Sequence, residues 1–460
     1  MKQIIRVMAG LLAFACFSSQ SGFAQGQKSD RHLVLITIDG FPGRMLRDPK
    51  ASLPRIRGLA DEGAAAEAMH VSNPSVTWPN HTTLVTGVQP AMHSVLFNGI
   101  LERGAADVPV KINPRKDKSE LVKVPTIYDL LHQQGYRTAA IDWPCTRGTK
   151  TLDADFPDTP EPLSHSTPGL IDELVKAGIM EKNNEDWFRG LSGPARDQIW
   201  TDAACYLIRN RMPNLMLIHL LNTDGTHHKY GPESPASYTA LALADKFVGQ
   251  IIDALDAAGV RKNTTIIVTA DHGFATETKA VQPNVLLRKA GLLEVSGNGA
   301  ITKARVQVVP EGGTGFVYFN DPNMKEADRS RVLGLFKGAE GIARVITPED
   351  YSRLGYPLPE ANQGMGDFVI VPEKQYAVLG GATGDEAAGD LKPGVNAGYH
   401  GLIADDDRMN ALFVASGNQI KKGAKLTTIR NVDVAPTIFS IFGQELPGSE
   451  GKVLKDILVQ

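Results

Sequence analysis

Three short apolar segments that each lead to an aspartate constrain the fold of this chain more than any other feature. They are rich in β-branched residues and cover residues 32–38 before Asp39, residues 215–221 before Asp224 and residues 264–270 before Asp271. Continuous apolar runs of this length are typical of buried parallel strands. The carboxyl ends of parallel strands meet at one edge of a sheet, where open α/β sheets usually bind ligands. The pattern therefore predicts three carboxylates at one edge, an arrangement that favours cation binding.

Helical patterns lie between these strands. Apolar residues recur at three- and four-residue steps in residues 52–62, 124–134 and 238–258. Strands that alternate with helices indicate a doubly wound α/β fold with a mostly parallel sheet. Near the end of the chain, residues 411–415 are predicted to form a further strand and residues 433–442 a late helix.

The segment from Thr276 to Val395 has a different composition. It contains a glycine cluster at residues 312–315, an alternating apolar run at residues 316–319 and a glycine-rich stretch at residues 380–394. We interpret it as an inserted, smaller α+β subdomain with hairpins that caps the edge of the sheet. The predicted division of the chain is residues 1–24 as a signal peptide, residues 25–275 and 396–460 as the core, and residues 276–395 as the insertion.

The N-terminus is typical of a secretory signal peptide. Lys2 and Arg6 precede an apolar run at residues 7–17, and a stretch of small and polar residues then ends at Ala24. The run is too short to span a bilayer, and no later stretch approaches the roughly 20 apolar residues that spanning requires. We expect no transmembrane segment and a secreted chain, periplasmic if the source is a Gram-negative bacterium. A lipid anchor at Cys16 stays open, because the preceding residues loosely resemble a lipoprotein cleavage box.

Composition limits the partners of the chain. Its 48 basic and 51 acidic residues give a formal charge of -3, so no excess positive field exists for a polyanion. We therefore expect a small-molecule ligand and no nucleic-acid polymer, and the oligomeric state is unknown from the sequence. After removal of the signal peptide the cysteines are Cys145 and Cys205, for which one disulfide or two buried thiols are both compatible with an oxidising compartment.

Histidines near the three aspartates complete two candidate metal sites. The added residues are His228, four positions after Asp224, His272, directly after Asp271, and His400 further downstream. Taken singly, each of these residues is more often a turn, cap or surface residue. Together with Asp39 they provide enough nitrogen and oxygen donors for two zinc-like cations.

Thr77 lies where a helix is predicted to begin, and Pro79 suits the first turn of that helix. A hydroxyl at this position benefits from the positive end of the helix dipole, and a metal bound to its oxygen would stabilise the alkoxide needed for attack. The alternative is an ordinary threonine cap. The predicted metal ligands favour the role of Thr77 as a nucleophile over that of a simple cap.

These segments occur in the order shown by a known family. The chain resembles the nucleotide pyrophosphatase/phosphodiesterase family of the alkaline phosphatase superfamily, and the resemblance implies an alkaline phosphatase-like core. The matching segments span nearly the whole chain after the signal peptide and are residues 35–40, 77–81, 84–87, Pro90, His93, 224–232, 269–273 and 398–401.

The resemblance also implies how the ligands divide between two zinc ions. Asp224, His228 and His400 would bind one zinc, whereas Asp39, Asp271 and His272 would bind the other. Thr77 would be the catalytic nucleophile and a ligand of the second zinc.

Three further positions follow from the same comparison. Asn98 would donate a hydrogen bond to a phosphoryl oxygen, the alternative being a turn residue before Gly99. Trp78 stands where the family usually has phenylalanine and would offer a larger ring to a base or an apolar leaving group. His219 replaces an aromatic residue that often lies five positions before the first-site aspartate. These departures concern substrate preference rather than phosphodiester chemistry.

The function implied is that of a secreted two-zinc phosphodiesterase or nucleotide pyrophosphatase. It would cleave phosphodiester or phosphoanhydride bonds of a small molecule through a phospho-threonine intermediate. One alternative is a metal-dependent phosphomonoesterase of the same superfamily, although such enzymes favour serine at the position of Thr77. Another is a non-catalytic, metal-stabilised binding module, which the intact set of ligands disfavours.

Overall fold

Strands and helices alternate along most of the chain. A computed structural model describes residues 30–104, 106–392 and 394–459, so the predicted signal peptide and Cys16 lie outside the described residues. The strands are, in chain order, β1 (His32–Ile38), β2 (Ala64–His70), β3 (Ile100–Glu102), β4 (Lys111–Asn113), β5 (Thr138–Pro144), β6 (Ala154–Asp158), β7 (Leu215–Leu220), β8 (Thr264–Thr269), β9 (Ala275–Thr276), β10 (Lys279–Val281), β11 (Leu293–Val295), β12 (Ile301–Ala304), β13 (Val306–Pro310), β14 (Gly315–Phe319), β15 (Ile342–Ile346), β16 (Phe368–Pro372), β17 (Tyr376–Val378), β18 (Ala388–Asp390), β19 (Gly398–Tyr399), β20 (Phe413–Gly417) and β21 (Ala424–Arg430).

The helices differ widely in length, and the longest ones flank the main sheet. They are α1 (Pro54–Glu62), α2 (Thr77–Thr86), α3 (Pro90–His93), α4 (Lys118–Leu121), α5 (Ile127–Gln133), α6 (Pro162–His165), α7 (Leu170–Lys176), α8 (Glu185–Arg189), α9 (Gly193–Arg211), α10 (Asn222–Tyr230), α11 (Pro235–Ala257), α12 (Pro283–Lys289), α13 (Glu326–Phe336) and α14 (Val434–Ile441).

The central sheet has eight strands in the order β21-β2-β20-β8-β1-β7-β5-β6. β1 pairs in parallel with β7 and β8, and β5 pairs in parallel with β6 and β7. β20 is the antiparallel member, pairing with β8 and β2. Every residue of β1, β5, β7 and β8 is buried, so helices or loops cover both faces of the sheet. The prediction of an α/β fold with a large, mostly parallel sheet is confirmed.

The predicted elements agree closely with the observed ones. The first predicted strand has the bounds of β1, whereas the second and third end one residue earlier than predicted. The predicted strand at residues 411–415 is displaced by two residues in β20, and the late helix corresponds to α14. Strands that are buried along their whole length can be predicted from the sequence, because each position must be apolar.

The predicted insertion begins and ends at paired backbone segments. β9 and β19 pair in antiparallel fashion, so the chain leaves the core and returns to it side by side. Between them, a four-stranded sheet of order β13-β14-β16-β15 has its own hydrophobic cluster. A further cluster joins this sheet to Leu96, Phe97 and Leu101. The insertion therefore packs against the segment that carries Asn98. The domain boundaries themselves stay a prediction.

Cys145 and Cys205 are both buried and both carry free thiols, so the alternative of two thiols describes this structure. Within the described ranges, no helix combines the length and the apolar character that a membrane crossing requires.

Candidate active site

Asp39, Asp271 and His272 lie together at the carboxyl edge of the sheet, and we call them the inner triad. Asp39 follows β1, and the other two residues follow the adjacent strand β8. Gly40 turns the chain after β1 with a φ of 64° and donates its backbone N–H to Asp271 Oδ1 at 3.1 Å. A side chain at this position would meet the ring of Phe274 at 2.7 Å, so the turn requires glycine.

Lone pairs converge within the inner triad. His272 Nε2 lies 3.3 Å from Asp39 Oδ1 and 3.2 Å from Asp271 Oδ2. His272 Nδ1 lies 3.0 Å from the carbonyl oxygen of Gly273, so Nδ1 carries the proton and Nε2 faces the carboxylates as an acceptor. The triad is at most 1% exposed, and among the described residues no hydrogen-bond donor serves Nε2, Asp271 Oδ2 or either oxygen of Asp39. Such a donor set fits a cation.

Burial explains the electrostatics of the inner triad. Desolvation raises the pKa of Asp39, and the carboxylate of Asp271 raises it further. Desolvation likewise raises the pKa of Asp271 and lowers the pKa of His272 to about 3. A bound cation would reverse the penalty on the carboxylates because it supplies the opposite charge.

Asp224, His228 and His400 form a second cluster, which we call the outer triad. The first two lie on α10, so their four-residue spacing places them on one face of a helix rather than in a loop. His228 Nε2 lies 3.4 Å and His400 Nε2 3.6 Å from Asp224 Oδ1. β19 brings His400 here by close approach to α10, since a side chain at Gly398 would meet the carbonyl oxygen of His227 at 2.1 Å.

The outer triad repeats the hydrogen-bonding pattern of the inner one. His228 Nδ1 donates to the carbonyl oxygen of Gly398 at 3.0 Å, and His400 Nδ1 donates to that of Ser75 at 3.1 Å. Both Nε2 atoms therefore face Asp224 as acceptors. The outer triad is more open, with side-chain exposures of 17% for Asp224, 26% for His228 and 13% for His400.

The two triads are in direct contact. The rings of His272 and His400 stack with their centroids 3.9 Å apart and an interplanar angle of 12°. The buried ring of Phe274 touches both triads, with centroid distances of 4.9 Å to His228 and 5.9 Å to His272. The sequence-predicted ligands therefore come together as two adjacent groups, and their metal-binding role stays a prediction.

Thr77 is the first residue of α2 and is buried. Two residues earlier, the carbonyl oxygen of Ser75 accepts hydrogen bonds from His400 Nδ1 and from the backbone N–H of Gly401. One turn later, His81 Nδ1 lies 3.7 Å from Asp271 Oδ2. The start of α2 is thus attached to the outer triad and approaches the inner one.

Asn98 lies beside this helix start. Its Oδ1 accepts the backbone N–H of Trp78 at 2.9 Å. Because the amide oxygen is engaged, the Nδ2 group is the end that is free to donate to a ligand. The side chain is exposed, which gives a ligand access to that donor.

Trp78 has an interior position. It is 5% exposed, and its indole N–H donates to Asp158 Oδ2 at 2.8 Å. It packs with Val95, Leu121 and Cys145. These contacts explain the buried position of the Trp78 ring without a bound ligand. A substrate-binding role for Trp78 therefore stays a prediction.

Sequence reasoning did not assign roles to several polar residues near the triads. Thr37, His81 and His219 are fully buried, and the Thr37 hydroxyl is hydrogen-bonded to both imidazoles. Asp142 lies near the end of β5, and Asp158 is the last residue of β6. A polar residue inside an apolar strand was the available signal for His219. The sequence around Asp158 gives no indication of a role, because only the fold brings this residue to Trp78.

A family model and several curated relatives match this chain. The family model for type I phosphodiesterase / nucleotide pyrophosphatase matches residues 33–402. Rat ectonucleotide pyrophosphatase/phosphodiesterase family member 3 is 23% identical over 426 residues, covering 91% of this chain and 43% of the rat protein. The venom phosphodiesterase of Macrovipera lebetinus is 22% identical over 441 residues, covering 91% of this chain and 44% of the venom protein. The chain spans less than half the length of these relatives.

A solved structure gives the same assignment at the level of the fold. Murine ectonucleotide pyrophosphatase/phosphodiesterase 5 has a TM-score of 0.68 at 18% identity and covers 93% of this chain and 100% of the murine chain. The central sheet therefore belongs to an alkaline phosphatase-like fold. With a family match over most of its length, the chain belongs to the type I phosphodiesterase / nucleotide pyrophosphatase family.

Proposed function

We propose that this chain is a metal-dependent phosphoric diester hydrolase that cleaves phosphodiester or phosphoanhydride bonds of small molecules, nucleotides among them. The observation that carries the proposal is the pair of adjacent carboxylate–imidazole triads beside the start of the helix that bears Thr77. The rat and viper relatives are named pyrophosphatase/phosphodiesterase and phosphodiesterase, which supports the same reaction class. A further murine structure is that of an inactive threonine-to-alanine variant in complex with AMP.

The inner and outer triads would each hold one zinc ion, which gives two per chain. Three protein ligands of nitrogen and oxygen leave a zinc position open for a reacting group. When bound, the ions supply positive charge that stabilises the entering, leaving and non-bridging oxygens of the phosphoryl group. The imidazoles of both triads are oriented for this role by their Nδ1 hydrogen bonds to backbone carbonyls.

Thr77 is the nucleophile in this proposal. Its Oγ forms a bond to phosphorus while the bond from phosphorus to the leaving oxygen breaks, and the leaving group departs as an alcohol or a phosphate. The amino-terminal end of α2 favours the negative charge that develops on Oγ. Water then hydrolyses the threonine phosphate ester and restores the hydroxyl.

Asn98 would donate through Nδ2 to a non-bridging oxygen of the phosphoryl group. The hydrogen bond from the Trp78 N–H to Asn98 Oδ1 fixes the amide in the orientation that this donation requires. A preorganised donor of this kind acts on charge that grows in the transition state.

The site of action would be outside the cytoplasm. The predicted signal peptide supports secretion, or a periplasmic location in a Gram-negative source.

The test compares initial rates of the purified chain on bis-p-nitrophenyl phosphate and p-nitrophenyl phosphate, before chelation, after chelation and after zinc is restored. We expect a strong preference for the diester that disappears with the metal and returns with zinc. In Thr77→Ala we expect zinc content to be kept and the diester rate to fall by on the order of 10³-fold or more. Acid quenching of wild type during turnover, followed by peptide mass spectrometry, should reveal the phosphorylated Thr77.

Thr77→Ser is the matched control, because it keeps the hydroxyl and should retain measurable turnover. A Thr77→Ala variant with zinc and most of its activity would contradict the nucleophile. A preference for the monoester would instead indicate a phosphatase, and bound zinc without any turnover would indicate a binding module.

A further inference from the structure

His219 lies behind the inner triad, on the strand next to the one that leads to Asp39. β7 places it directly opposite Thr37 of β1 in the parallel register. The residue is 0% exposed and is the one imidazole in an otherwise apolar strand. An imidazole buried to this degree requires a partner for each of its nitrogens.

Hydrogen bonds assign the protons around His219. His81 Nδ1 lies 3.0 Å from the carbonyl oxygen of Thr77, which can only accept, so Nδ1 is a donor. Nε2 of the neutral His81 ring then accepts the Thr37 hydroxyl proton at 2.8 Å. The Thr37 oxygen in turn accepts the Nδ1–H of His219 at 3.0 Å. His219 Nε2 is left with a buried lone pair and no proton.

That lone pair faces Asp39. His219 Nε2 lies 3.3 Å from Asp39 Oδ2, and within the described residues neither atom has a hydrogen-bond partner. The distance from Asp39 Oδ1 to His272 Nε2 is also 3.3 Å. Asp39 therefore presents each of its two oxygens to a different imidazole acceptor. Two electron-pair donors at this separation in a desolvated site repel each other unless a cation binds both.

His219 shares the pattern of the three histidines in the triads. In His228, His272 and His400, Nδ1 donates to an oxygen while Nε2 faces an aspartate. His219 has the same pattern, with the hydroxyl of Thr37 in place of a backbone carbonyl. Orientation of a ligating imidazole through its second nitrogen is characteristic of metal sites.

His227 provides an internal contrast. It is equally buried, and its Nδ1 donates to the carbonyl oxygen of Gly40 at 3.1 Å. Its Nε2 also has no hydrogen-bond partner in the described part of the chain, yet no carboxylate there pairs with it. Burial and an unpartnered nitrogen thus occur without the facing aspartate that distinguishes His219.

We propose that His219 is a further metal-ligating residue, and that His219 Nε2 and Asp39 Oδ2 bind a divalent cation in addition to the one at the inner triad. The inference rests on the proposed function, because it extends the same metal centre. His219 lies outside the group of inner-triad ligand atoms, which are within 4.8 Å of one another, so Asp39 would bridge two cations.

The test measures bound zinc in the full chain by inductively coupled plasma mass spectrometry after desalting, with diester hydrolysis followed in parallel. We expect three zinc ions per wild-type chain, two in His219→Phe and three in the matched control His227→Phe. Two zinc ions in both wild type and His219→Phe would overturn the inference but leave the proposed function intact. A wild-type chain with neither zinc nor diester hydrolysis would overturn both.

A second pair of variants keeps the test decisive if His219→Phe does not fold. Thr37→Val removes the hydroxyl that orients His219 while nearly preserving shape, whereas Thr37→Ser keeps the hydroxyl. In zinc titrations against a competing chelator, we expect the additional ion to bind on the order of 10- to 100-fold more weakly in Thr37→Val and normally in Thr37→Ser. Equal affinity in all three proteins would contradict the role of His219.

Discussion

The inner and outer triads use the same two kinds of ligand but differ sharply in burial. Inner-triad side chains are at most 1% exposed, whereas those of the outer triad are 13–26% exposed. The difference follows from where the chain supplies each residue. Asp39 and Asp271 end strands in the middle of the sheet, while His400 comes from a short strand at the base of the insertion.

This contrast separates two requirements of the proposed chemistry. A buried triad holds a cation in a fixed position with low dielectric around it, which strengthens electrostatic stabilisation. A partly open triad admits solvent and substrate. The stacked rings of His272 and His400 keep the two environments in contact.

The largest expected effect comes from removing one imidazole from each triad. His272→Gly and His228→Gly should each lose several kcal/mol of charge stabilisation, about 10³-fold in kcat at 1.4 kcal/mol per decade. Added imidazole should restore a substantial part of the activity of His228→Gly but not that of His272→Gly, because only the first cavity reaches solvent. Diester hydrolysis with and without imidazole is the measurement.

Equal rescue of both variants would show that the inner triad is as accessible as the outer one. Zinc content measured alongside identifies a variant that fails for lack of metal. Added methylamine serves as a control, since it raises the base concentration without supplying an imidazole ring.

A smaller effect is expected at Asn98, on the open side of the site. Asn98→Ala should lower kcat by on the order of 10²-fold, the cost of removing one preorganised donor, without loss of zinc. Asn98→Asp separates this role from a structural one, because it retains an oxygen that can accept the Trp78 N–H but lacks the amide donor. If Asn98→Asp keeps wild-type turnover, the residue serves only to hold Trp78.

Much of the central sheet and of the ligand set could be predicted from the sequence. The three strands that lead to Asp39, Asp224 and Asp271 can be predicted because a strand buried on both faces must be apolar throughout. Parallel strands of known direction then place their carboxylates at one edge. The insertion at residues 276–395 stays a prediction from composition, and within the four-stranded sheet the predicted apolar run at residues 316–319 falls in β14, which is buried throughout.

The difference in burial between the triads could not be predicted. It depends on the approach of β19 to α10, a contact between residues 170 positions apart in the chain, such as His228 and Gly398. The partner of Trp78 escaped prediction for the same reason, because Asp158 is brought to it by the pairing of β5 and β6. The local sequence pattern does not reveal contacts between residues that lie far apart in the chain.

Metal release offers a kinetic measure of the contrast. With excess chelator, we expect zinc to leave in separate phases, the fast one from the outer triad. A difference of about 1.4 kcal/mol in the free energy of local opening would separate the release rates tenfold. A colorimetric zinc indicator in a stopped-flow instrument measures the phases, and His228→Gly should lose the fast phase specifically. A single phase in wild type would mean that the two triads open together.

The smallest expected effect concerns Asp158, a further carboxylate at the end of β6, whose Oδ2 accepts a hydrogen bond from the indole N–H of Trp78. Burial raises the pKa of Asp158 to about 6, and the Trp78 N–H opposes this rise. The folded state therefore holds this proton more tightly than the unfolded state does, and the contribution of Asp158 to stability falls as pH rises from about 4 through about 6.

Trp78→Phe should deepen that loss, because a hydrogen bond to the ionised carboxylate is stronger than one to the neutral acid. We expect the variant to lose about 1–3 kcal/mol of unfolding free energy at pH 7.5 and less at pH 5, with kcat/KM on the diester changed only a few-fold. Urea unfolding at both pH values is the measurement, and in an Asp158→Asn background the effect of Trp78→Phe should no longer depend on pH. A pH-independent loss in the wild-type background would contradict the hydrogen bond to Asp158 as its cause. A collapse of kcat/KM would instead place Trp78 among the residues that bind substrate, which is the role that the family resemblance implies.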